Sequence, residues 1–290
     1  MPDKIRVEVE GRHLDLTNLD KVLYPQAGFT KGEVIDYYTR ISPVLLPHLA
    51  GRPLTRIRYP NGVDGNSFFE KNAPAGTPDW VRTVRLPVPG SSRGRETIDF
   101  IVVEELATLV WLANLAALEL HTPQWRVSAD GTVLNPDLLV IDLDPGPPAG
   151  LPACFEVAQL VRDRLADDGL DLQPKTSGRK GMQLVAELPG DETADEISAY
   201  VKDVAGELAR RRPDLIVARM ARQLRPGKVF IDWSQNNAFK TTVAPYSLRA
   251  GALPTVSAPL TWEEVGEGTL TVADLTSSVV LDRVAGRGSS

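Results

Sequence analysis

An apolar run that ends in two aspartates, LLVIDLD at residues 138–144, sets the strictest limit on how this chain can fold. Its continuous apolar character predicts a strand that is buried on both faces. Because successive side chains alternate across a strand, Asp142 and Asp144 lie on the same face. Pro145 and Gly146 follow and end the strand. We therefore expect two neighbouring carboxylates at the C-terminal edge of a sheet.

From this strand onward, the chain is predicted to alternate between strands and helices. The predicted elements are a strand at 138–144, a helix at Cys154–Asp168, a strand at 182–188, a helix at Asp195–Arg211 and a strand at Val229–Asp232. Such alternation is typical of an α/β or a mixed α+β fold.

The N-terminal part is predicted to begin with a hairpin, because residues 6–16 alternate between polar and apolar side chains around a turn at Gly11. Thr17 or Asn18 can cap a short helix at 19–23. Thr30 with Glu33 forms the pattern of a capping box, which predicts a helix to about residue 46. Two helix N-termini are therefore expected close together in the sequence.

Turns and one buried helix are predicted between these elements and the central strand. The segments 53–65 and 72–78 are rich in turn residues, and residues 89–95 (PGSSRGR) are typical of an exposed hairpin tip or a mobile loop. The segment 104–120 has the length and the helix formers of a buried helix.

Length and composition favour one domain over residues 1–290 with an ordinary core. The single cysteine, Cys154, excludes a disulfide framework and a cysteine-based zinc site. Charged residues near the N-terminus are unlike a signal peptide. The longest apolar stretch, 107–118, is shorter than the about 20 residues that cross a bilayer. We expect a soluble, cytoplasmic protein with no membrane partner.

The charge is unevenly distributed along the chain. The net charge of −6 argues against nonspecific coating of DNA. A basic cluster nevertheless contains Arg210, Arg211, Arg212, Arg219, Arg222, Arg225 and Lys228. Such a cluster is either a solvated face or a local patch for a polyanion such as a nucleotide or a DNA backbone.

The paired aspartates favour a metal site. Like charges this close are costly unless cations neutralise them, which a pair of Mg²⁺ or Mn²⁺ ions can do. Alternatively, one acid caps the next helix and the other is solvated. A third acid, Asp232, ends the strand VFID, and three such acids suit a two-metal site. Two metals stabilise the attacking and leaving oxygens at phosphorus, so phosphoryl or nucleotidyl transfer becomes the leading chemistry.

A turn of small residues, KTSGRKGMQL at 175–184, lies between the acid-bearing strands. Ser177, Gly178 and Gly181 allow the backbone to approach phosphates, and Lys180 supplies a counter-charge. Taken singly, such a turn is more often a plain hairpin. Its place between the two strands favours phosphate binding.

The motifs LDLDPG, TSGRKGMQL, GKVFIDWSQN and KTTVAPYSLR, together with DKVLYP, GRPLTRIRYPNGVDG and ALELHTPQW, resemble the polymerase domain of bacterial end-joining ligase D. That family belongs to the archaeo-eukaryotic primase superfamily. The resemblance implies mixed β-sheets and an RRM-like catalytic core packed by helices. It also implies an N-terminal part at about 1–100 that contacts DNA ends, a catalytic core at about 101–250 and a C-terminal extension at about 251–290.

The resemblance implies template-directed addition of nucleotides, with rNTPs preferred over dNTPs, at short gaps and double-strand-break ends that carry a downstream 5′-phosphate. The implied cofactors are two Mn²⁺ or Mg²⁺ ions. The implied partners are gapped or broken DNA, an ATP-dependent DNA ligase and an end-binding protein, at the bacterial nucleoid.

The same resemblance implies roles for individual residues. Metal binding and catalysis fall to Asp142, Asp144 and Asp232. Nucleotide binding falls to Ser177, Lys180, Gln183, Arg225, Lys240 and His121, and DNA binding to Asn18, Lys21, Lys31, Arg56, Arg58, Phe68 and Phe69. Without the resemblance, His121 would be assigned a structural role, and Lys21 and Lys31 would be solvated surface residues. Phe68 and Phe69 would be assigned to the core. Helix N-termini at both lysines would also favour an anion.

Two positions depart from the family pattern. Gln183 stands where the family has histidine, and glutamine cannot carry the charge of an imidazolium. We expect activity with altered nucleotide affinity or pH dependence, or else a specialised paralogue. Ile57 replaces a frequent basic residue between Arg56 and Arg58. The alternatives are an end-binding and synapsis module with weak or lost polymerase activity and, more distantly, a two-metal nuclease.

Overall fold

The computed structural model describes residues 4–88, 94 and 96–287. The helices in this part of the chain are α1 Lys31–Leu49, α2 Leu106–Asn114, α3 Leu151–Ala166, α4 Ala194–Arg211, α5 Trp262–Glu267 and α6 Ser277–Arg287. The strands of the first half are β1 Lys4–Val9, β2 Arg12–Thr17, β3 Val22–Tyr24, β4 Phe29–Thr30, β5 Thr55–Arg58, β6 Phe68–Glu70, β7 Thr83–Pro87, β8 Thr97–Ile101, β9 Ala117–Thr122 and β10 Trp125–Val127. The remaining strands are β11 Val133–Pro136, β12 Leu138–Pro145, β13 Gln173–Thr176, β14 Met182–Glu187, β15 Ile216–Val217, β16 Val229–Asp232 and β17 Thr242–Val243.

The larger sheet has the order β13-β14-β12-β16-β15. Its central strand β12 is antiparallel to both neighbours, and only β15 and β16 run parallel. The register places Asp142 opposite Asp232 on one side and opposite Gln183 on the other. Asp142 and Asp144 lie in the C-terminal half of β12, as predicted, but the sheet has no common C-terminal edge because both neighbours of β12 are antiparallel. An antiparallel neighbour brings the end of β16 to the interior of β12.

A second sheet has the order β17-β9-β5-β6, and residues of both sheets line the cleft described below. Helices α1 and α2 pack together beside the second sheet, and Tyr38 of α1 donates a hydrogen bond of 2.6 Å to the carbonyl of Leu118 in β9. One buried cluster of apolar side chains extends from Leu14 in β2 to Leu281 in α6.

The predicted alternation of strands and helices after residue 137 is confirmed. The predicted strands correspond to β12, β14 and β16, and the predicted helices to α3 and α4. The N-terminal hairpin is formed by β1 and β2, and the capping box of Thr30 and Glu33 begins α1.

Three local predictions were wrong in whole or in part. No helix forms at 19–23, because Asn18 has a φ of 53° and residues 22–24 form β3, which pairs with β4. The predicted helix at 104–120 ends at Asn114, and residues 117–122 form β9 instead. The segment 53–65, predicted as turns, contains β5 between β9 and β6.

The predicted hairpin tip at 89–95 lies outside the described residues except for Gly94. The strands before and after this segment, β7 and β8, pair in an antiparallel arrangement. A membrane-crossing helix is absent from the described part of the chain, since none of its helices combines sufficient length with an apolar sequence.

Candidate active site

The three predicted catalytic acids lie together on neighbouring strands. Asp142 and Asp144 are on β12, and Asp232 is the last residue of β16, directly opposite Asp142. Burial raises the pKa of Asp142 to about 6, and repulsion from Asp232 and Asp144 adds to this effect, while a hydrogen bond from Gln183 opposes it. The site therefore concentrates negative charge that a cation would neutralise.

Three predicted basic residues approach these acids from three different segments. The Lys180 ammonium lies 2.7 Å from Asp144 Oδ1, and an Arg225 guanidinium nitrogen lies 3.3 Å from Asp144 Oδ2. The Lys240 ammonium lies 3.8 Å from Asp232 Oδ2. These cations are placed to bind phosphate oxygens beside the acids.

The donor set of the acids suits a hard divalent cation, because it consists of carboxylate oxygens with mutual repulsion. As the side chains stand, no group of three or more His, Cys, Asp and Glu residues within 4–88, 94 and 96–287 is arranged to hold a metal ion. Asp144 accepts from Lys180 and Arg225, and Asp232 accepts hydrogen bonds from the Ser234 amide and hydroxyl. Metal binding would exchange some of these partners for the ion.

The turn from Ser177 to Gly181 joins β13 to β14 and packs tightly against β12. A Cβ atom on Gly181 would lie 2.3 Å from the carbonyl oxygen of Leu143. Gly178 has a φ of +69°, and a Cβ there would lie 2.4 Å from Cγ of Arg249. Both positions therefore require glycine. The turn connects two antiparallel strands, as the interpretation as a plain hairpin predicted. Its residues also line a cleft that is described below.

Gln183 links the acids to a buried lysine that the sequence analysis did not single out. Its Nε2 donates a 2.9 Å hydrogen bond to Asp142 Oδ1, and its Oε1 accepts from Lys175 Nζ. The Lys175 ammonium also donates to the carbonyl of Val243 at 3.0 Å and to Ser257 Oγ at 2.7 Å. Burial, and then the charge of Arg249, lower the pKa of Lys175 to about 7. Near neutral pH, the amide of Gln183 thus separates the Asp142 carboxyl from a lysine amine that is only partly protonated.

His121 is part of a cluster that also contains Glu119, Arg179 and Arg249. Glu119 is fully buried, and its carboxylate lies 3.1 Å from His121 Nε2 and 2.9 Å from an Arg179 guanidinium nitrogen. Burial alone would raise the pKa of Glu119, but the hydrogen bond with His121 and the charge of Arg249 lower it to about 2. Burial also lowers the pKa of His121, and the hydrogen bond with Glu119 opposes this effect.

A cleft of about 540 Å³ brings most of these side chains together. It is lined by His121, Asp142, Leu143, Asp144, Ser177, Arg179, Lys180, Gly181, Gln183, Gln235, Thr241, Thr242, Val243 and Arg249. Sequence reasoning missed Arg179, Gln235 and Arg249, although each of them lies in one of the motifs that carry the resemblance. Glu119 could have been found, because it is two residues from His121 and therefore on the same face of a strand.

Comparisons with known proteins are consistent with this arrangement. A family model described as "LigD, primase-polymerase domain" matches residues 30–290. The chain belongs to this family. It is 43% identical over 96% of its length to the "Multifunctional non-homologous end joining DNA repair protein LigD" of Mycobacterium tuberculosis H37Rv, of which it covers 36%. It is 35% identical over 95% of its length to the "Bifunctional non-homologous end joining protein LigD" of Bacillus subtilis, of which it covers 43%.

The solved structure described as "Polymerase Domain from Mycobacterium tuberculosis Ligase D in complex with DNA" matches with a TM-score of 0.90 and 42% identity, over 95% of each chain. The predicted archaeo-eukaryotic primase-like fold is confirmed. So is the prediction of a nucleotidyltransferase, and the LigD polymerase domain is a metal-dependent one. The chain spans about a third of the length of the mycobacterial LigD proteins that it matches.

In this LigD domain, the residues predicted to bind a 5′-phosphate lie around the start of α1. Asn18 and Lys21 are exposed, whereas Lys31 is 5% exposed and donates to the carbonyl of Thr17 at 2.6 Å. The expectation of unpaired amides at two helix N-termini was wrong. Only one helix begins here, and the amides of Lys31 and Gly32 donate to the carbonyls of Lys21 and Leu19.

The other predicted DNA contacts divide into buried and exposed groups. Arg56 is fully buried and paired with Glu70 at 2.6 Å, so the predicted DNA contact of Arg56 is corrected to a structural role. Arg58 is partly exposed and lies 3.2 Å from the same carboxylate. Phe68 and Phe69 are 47% and 55% exposed, which excludes the alternative that they belong to the core.

The basic cluster at 210–228 is partly neutralised by neighbouring acids. Arg211 pairs with Glu207, and Arg212 pairs with Glu156 and Asp214. The Arg225 guanidinium carbon instead lies 3.8 Å from the centre of the Phe230 ring, and one of its nitrogens is paired with Asp144. Arg225 therefore lies at the candidate active site, whereas Arg211 and Arg212 form surface ion pairs.

Proposed function

We propose that this domain is a template-directed polymerase that adds nucleotides to 3′ ends at short gaps and broken DNA ends during end joining. The observation that carries the proposal is the group of three strand-borne aspartates beside a cleft lined by basic side chains. Charge of both signs at one point suits a metal-bound triphosphate, because the acids hold the cations and the bases hold the phosphates.

Each group at the site has a defined task in this proposal. Asp142, Asp144 and Asp232 would hold two Mg²⁺ or Mn²⁺ ions, which activate the primer 3′-hydroxyl and stabilise the pyrophosphate leaving group when bound. Lys180, Arg225 and Lys240 neutralise the triphosphate, and the Ser177 turn accommodates it. Gln183 orients the Asp142 carboxylate through its 2.9 Å hydrogen bond. His121 lies in the cleft, where a neutral imidazole can accept a hydrogen bond from a sugar hydroxyl, which would favour rNTPs.

The proposal includes recognition of a downstream 5′-phosphate by Asn18, Lys21 and Lys31. Burial, and then the charges of Lys21 and Arg58, lower the pKa of Lys31 to about 8. Three cationic groups are therefore close enough to repel one another, and a phosphate would relieve this repulsion. The exposed Phe68 lies opposite Arg58 in the β5–β6 pair, so DNA bases can stack beside the same region.

The cellular partners follow from the names of the relatives. These relatives are end-joining proteins in which the matched region is 36% to 43% of the length, so we propose that the domain works with an ATP-dependent DNA ligase and an end-binding protein. This activity would take place in the bacterial cytoplasm, at the nucleoid.

The experiment that tests this proposal is extension of a labelled primer across a short gap that carries a downstream 5′-phosphate or 5′-hydroxyl. The wild-type chain should extend with Mn²⁺ and NTPs, and the 5′-phosphate should enhance extension. Asp142→Ala should lose extension by several orders of magnitude. Lys21→Ala with Lys31→Ala should lose only the advantage of the phosphate.

Other outcomes favour the alternatives. Phosphate-dependent binding without extension would favour an end-binding and synapsis module. Shortening of the primer without added nucleotides would favour a nuclease. Extension by Asp142→Ala at the wild-type rate would contradict the assigned catalytic acids.

A further inference from the structure

Glu119 is a buried charge to which the proposed reaction assigns no task. Its side chain is inaccessible to solvent, in the middle of β9. Its Oε1 atom accepts hydrogen bonds from Arg179 at 2.9 Å and from the Ala250 amide at 3.1 Å. Its Oε2 atom lies 3.1 Å from His121 Nε2 and 3.6 Å from Arg249 Nε. A carboxylate is strongly disfavoured inside a protein unless such partners surround it.

The partners of Glu119 come from three separate parts of the chain and line the same cleft. His121 is on β9, Arg179 is in the turn between β13 and β14, and Arg249 follows β17. Arg179 is half-exposed, whereas Arg249 is 11% exposed. One carboxylate thus faces two guanidinium groups, through a hydrogen bond from Arg179 and a longer ion pair of 3.6 Å with Arg249, and it reduces their mutual repulsion.

Glu119 also determines which nitrogen of His121 carries the proton. An ionised carboxylate only accepts hydrogen bonds, so His121 Nε2 must donate to it. In the neutral ring, Nδ1 is then an acceptor. The same carboxylate therefore sets the hydrogen-bonding character of His121 and the positions of two arginines.

We propose that Glu119 is a positioning residue for nucleotide binding, which holds Arg179, Arg249 and the His121 ring in the arrangement that a nucleoside triphosphate meets. The class of ligand in this inference, a nucleoside triphosphate, rests on the proposed function. It assigns to Glu119 no contact with the reacting atoms.

Binding of α,β-methylene GTP with Mn²⁺ to the whole chain, measured by calorimetry without DNA, tests this role. Glu119→Gln keeps the size of the side chain but removes its charge, so the two guanidinium groups lose their common anchor. We expect the Kd to rise at least tenfold. Glu119→Asp retains the charge and should recover part of the lost affinity.

Asp137→Asn is the matched control. Asp137 also holds two arginines, Arg52 at 2.7 Å and Arg126 at 2.7 Å, but it does not line the cleft. Its substitution should leave the Kd unchanged. An unchanged Kd for Glu119→Gln would overturn the positioning role. A lower Kd would also overturn it, because it would mean that Glu119 competes with the phosphates for the arginines.

A measurement on the wild-type protein can overturn the inference even if Glu119→Gln does not fold. Nuclear magnetic resonance of the imidazole nitrogens at pH 7.5 should show the His121 proton on Nε2. A proton on Nδ1 would overturn the inference. Failure of the wild-type chain to bind the triphosphate would instead contradict the proposed function itself and the inference with it.

Discussion

Replacing Asp142 with asparagine is expected to stabilise the protein at neutral pH while removing a proposed metal ligand. Asp142 lies opposite Asp232 and two residues from Asp144, and burial together with these charges raises its pKa to about 6. Its ionised form is therefore less favourable in the folded chain than in the unfolded chain. Asparagine keeps the size of the side chain and an oxygen that can accept the Gln183 hydrogen bond.

The magnitude follows from the pKa. A rise from 3.8 to about 6 corresponds to about 3 kcal/mol, at about 1.4 kcal/mol per pH unit. Because the folded-state pKa is raised, the stability contributed by neutral Asp142 is fully present below pH 4 and is lost as the pH rises through 6. Asp142→Asn should thus exceed the wild type in free energy of unfolding by up to about 3 kcal/mol at pH 7.5 and by about half as much at pH 5.

Urea denaturation at both pH values, in the presence of a chelator, measures this difference. Asp203→Asn, on the exposed face of α4, is the control and should show no comparable gain. Added Mn²⁺ should stabilise the wild type more than the variant, because only the folded wild type keeps all three acids. A gain that does not depend on pH, or a loss of stability at pH 7.5, would refute this account of the site.

Three further substitutions test other parts of the site. Gly178→Ala should weaken triphosphate binding at least tenfold in calorimetry, because a Cβ would lie 2.4 Å from Cγ of Arg249; unchanged affinity would contradict the close packing. Lys21→Ala should abolish the preference for a 5′-phosphate over a 5′-hydroxyl in gel-shift titrations, and a retained preference would contradict the phosphate site. Phe69→Ala should weaken binding to DNA ends by about 1 to 3 kcal/mol at an unchanged Tm, whereas a lowered Tm would indicate a packing role.

The sequence predicted the strands that carry the three aspartates well, because their patterns are local. An apolar run indicates a strand before Asp142 and another before Asp232. The capping box at Thr30 indicates the start of a helix. The apolar segment 104–120 was partly misassigned, since a continuous apolar run is typical of both a buried helix and a buried strand. Ala116, with a φ of 58°, lies in the turn between α2 and β9, and the apolar sequence contains no glycine or proline that would indicate it.

Contacts between distant segments could not be predicted from the residues alone. The opposition of Asp142 and Asp232 depends on the register of two antiparallel strands. The burial of Arg56 depends on the position of β5 inside a sheet, so the resemblance that implied a DNA contact for Arg56 could not reveal it. The link from Lys175 through Gln183 to Asp142 likewise exists only in the folded chain.

Incorporation of a single nucleotide opposite each of the four template bases tests the central claim most directly. The assay would use a labelled primer on a gapped duplex with Mn²⁺, and it would compare the wild type with Asp142→Ala. We predict that the wild type adds only the complementary nucleotide and that the variant adds none. Addition that is independent of the template base, or that persists in Asp142→Ala, would contradict a template-directed polymerase centred on these three aspartates.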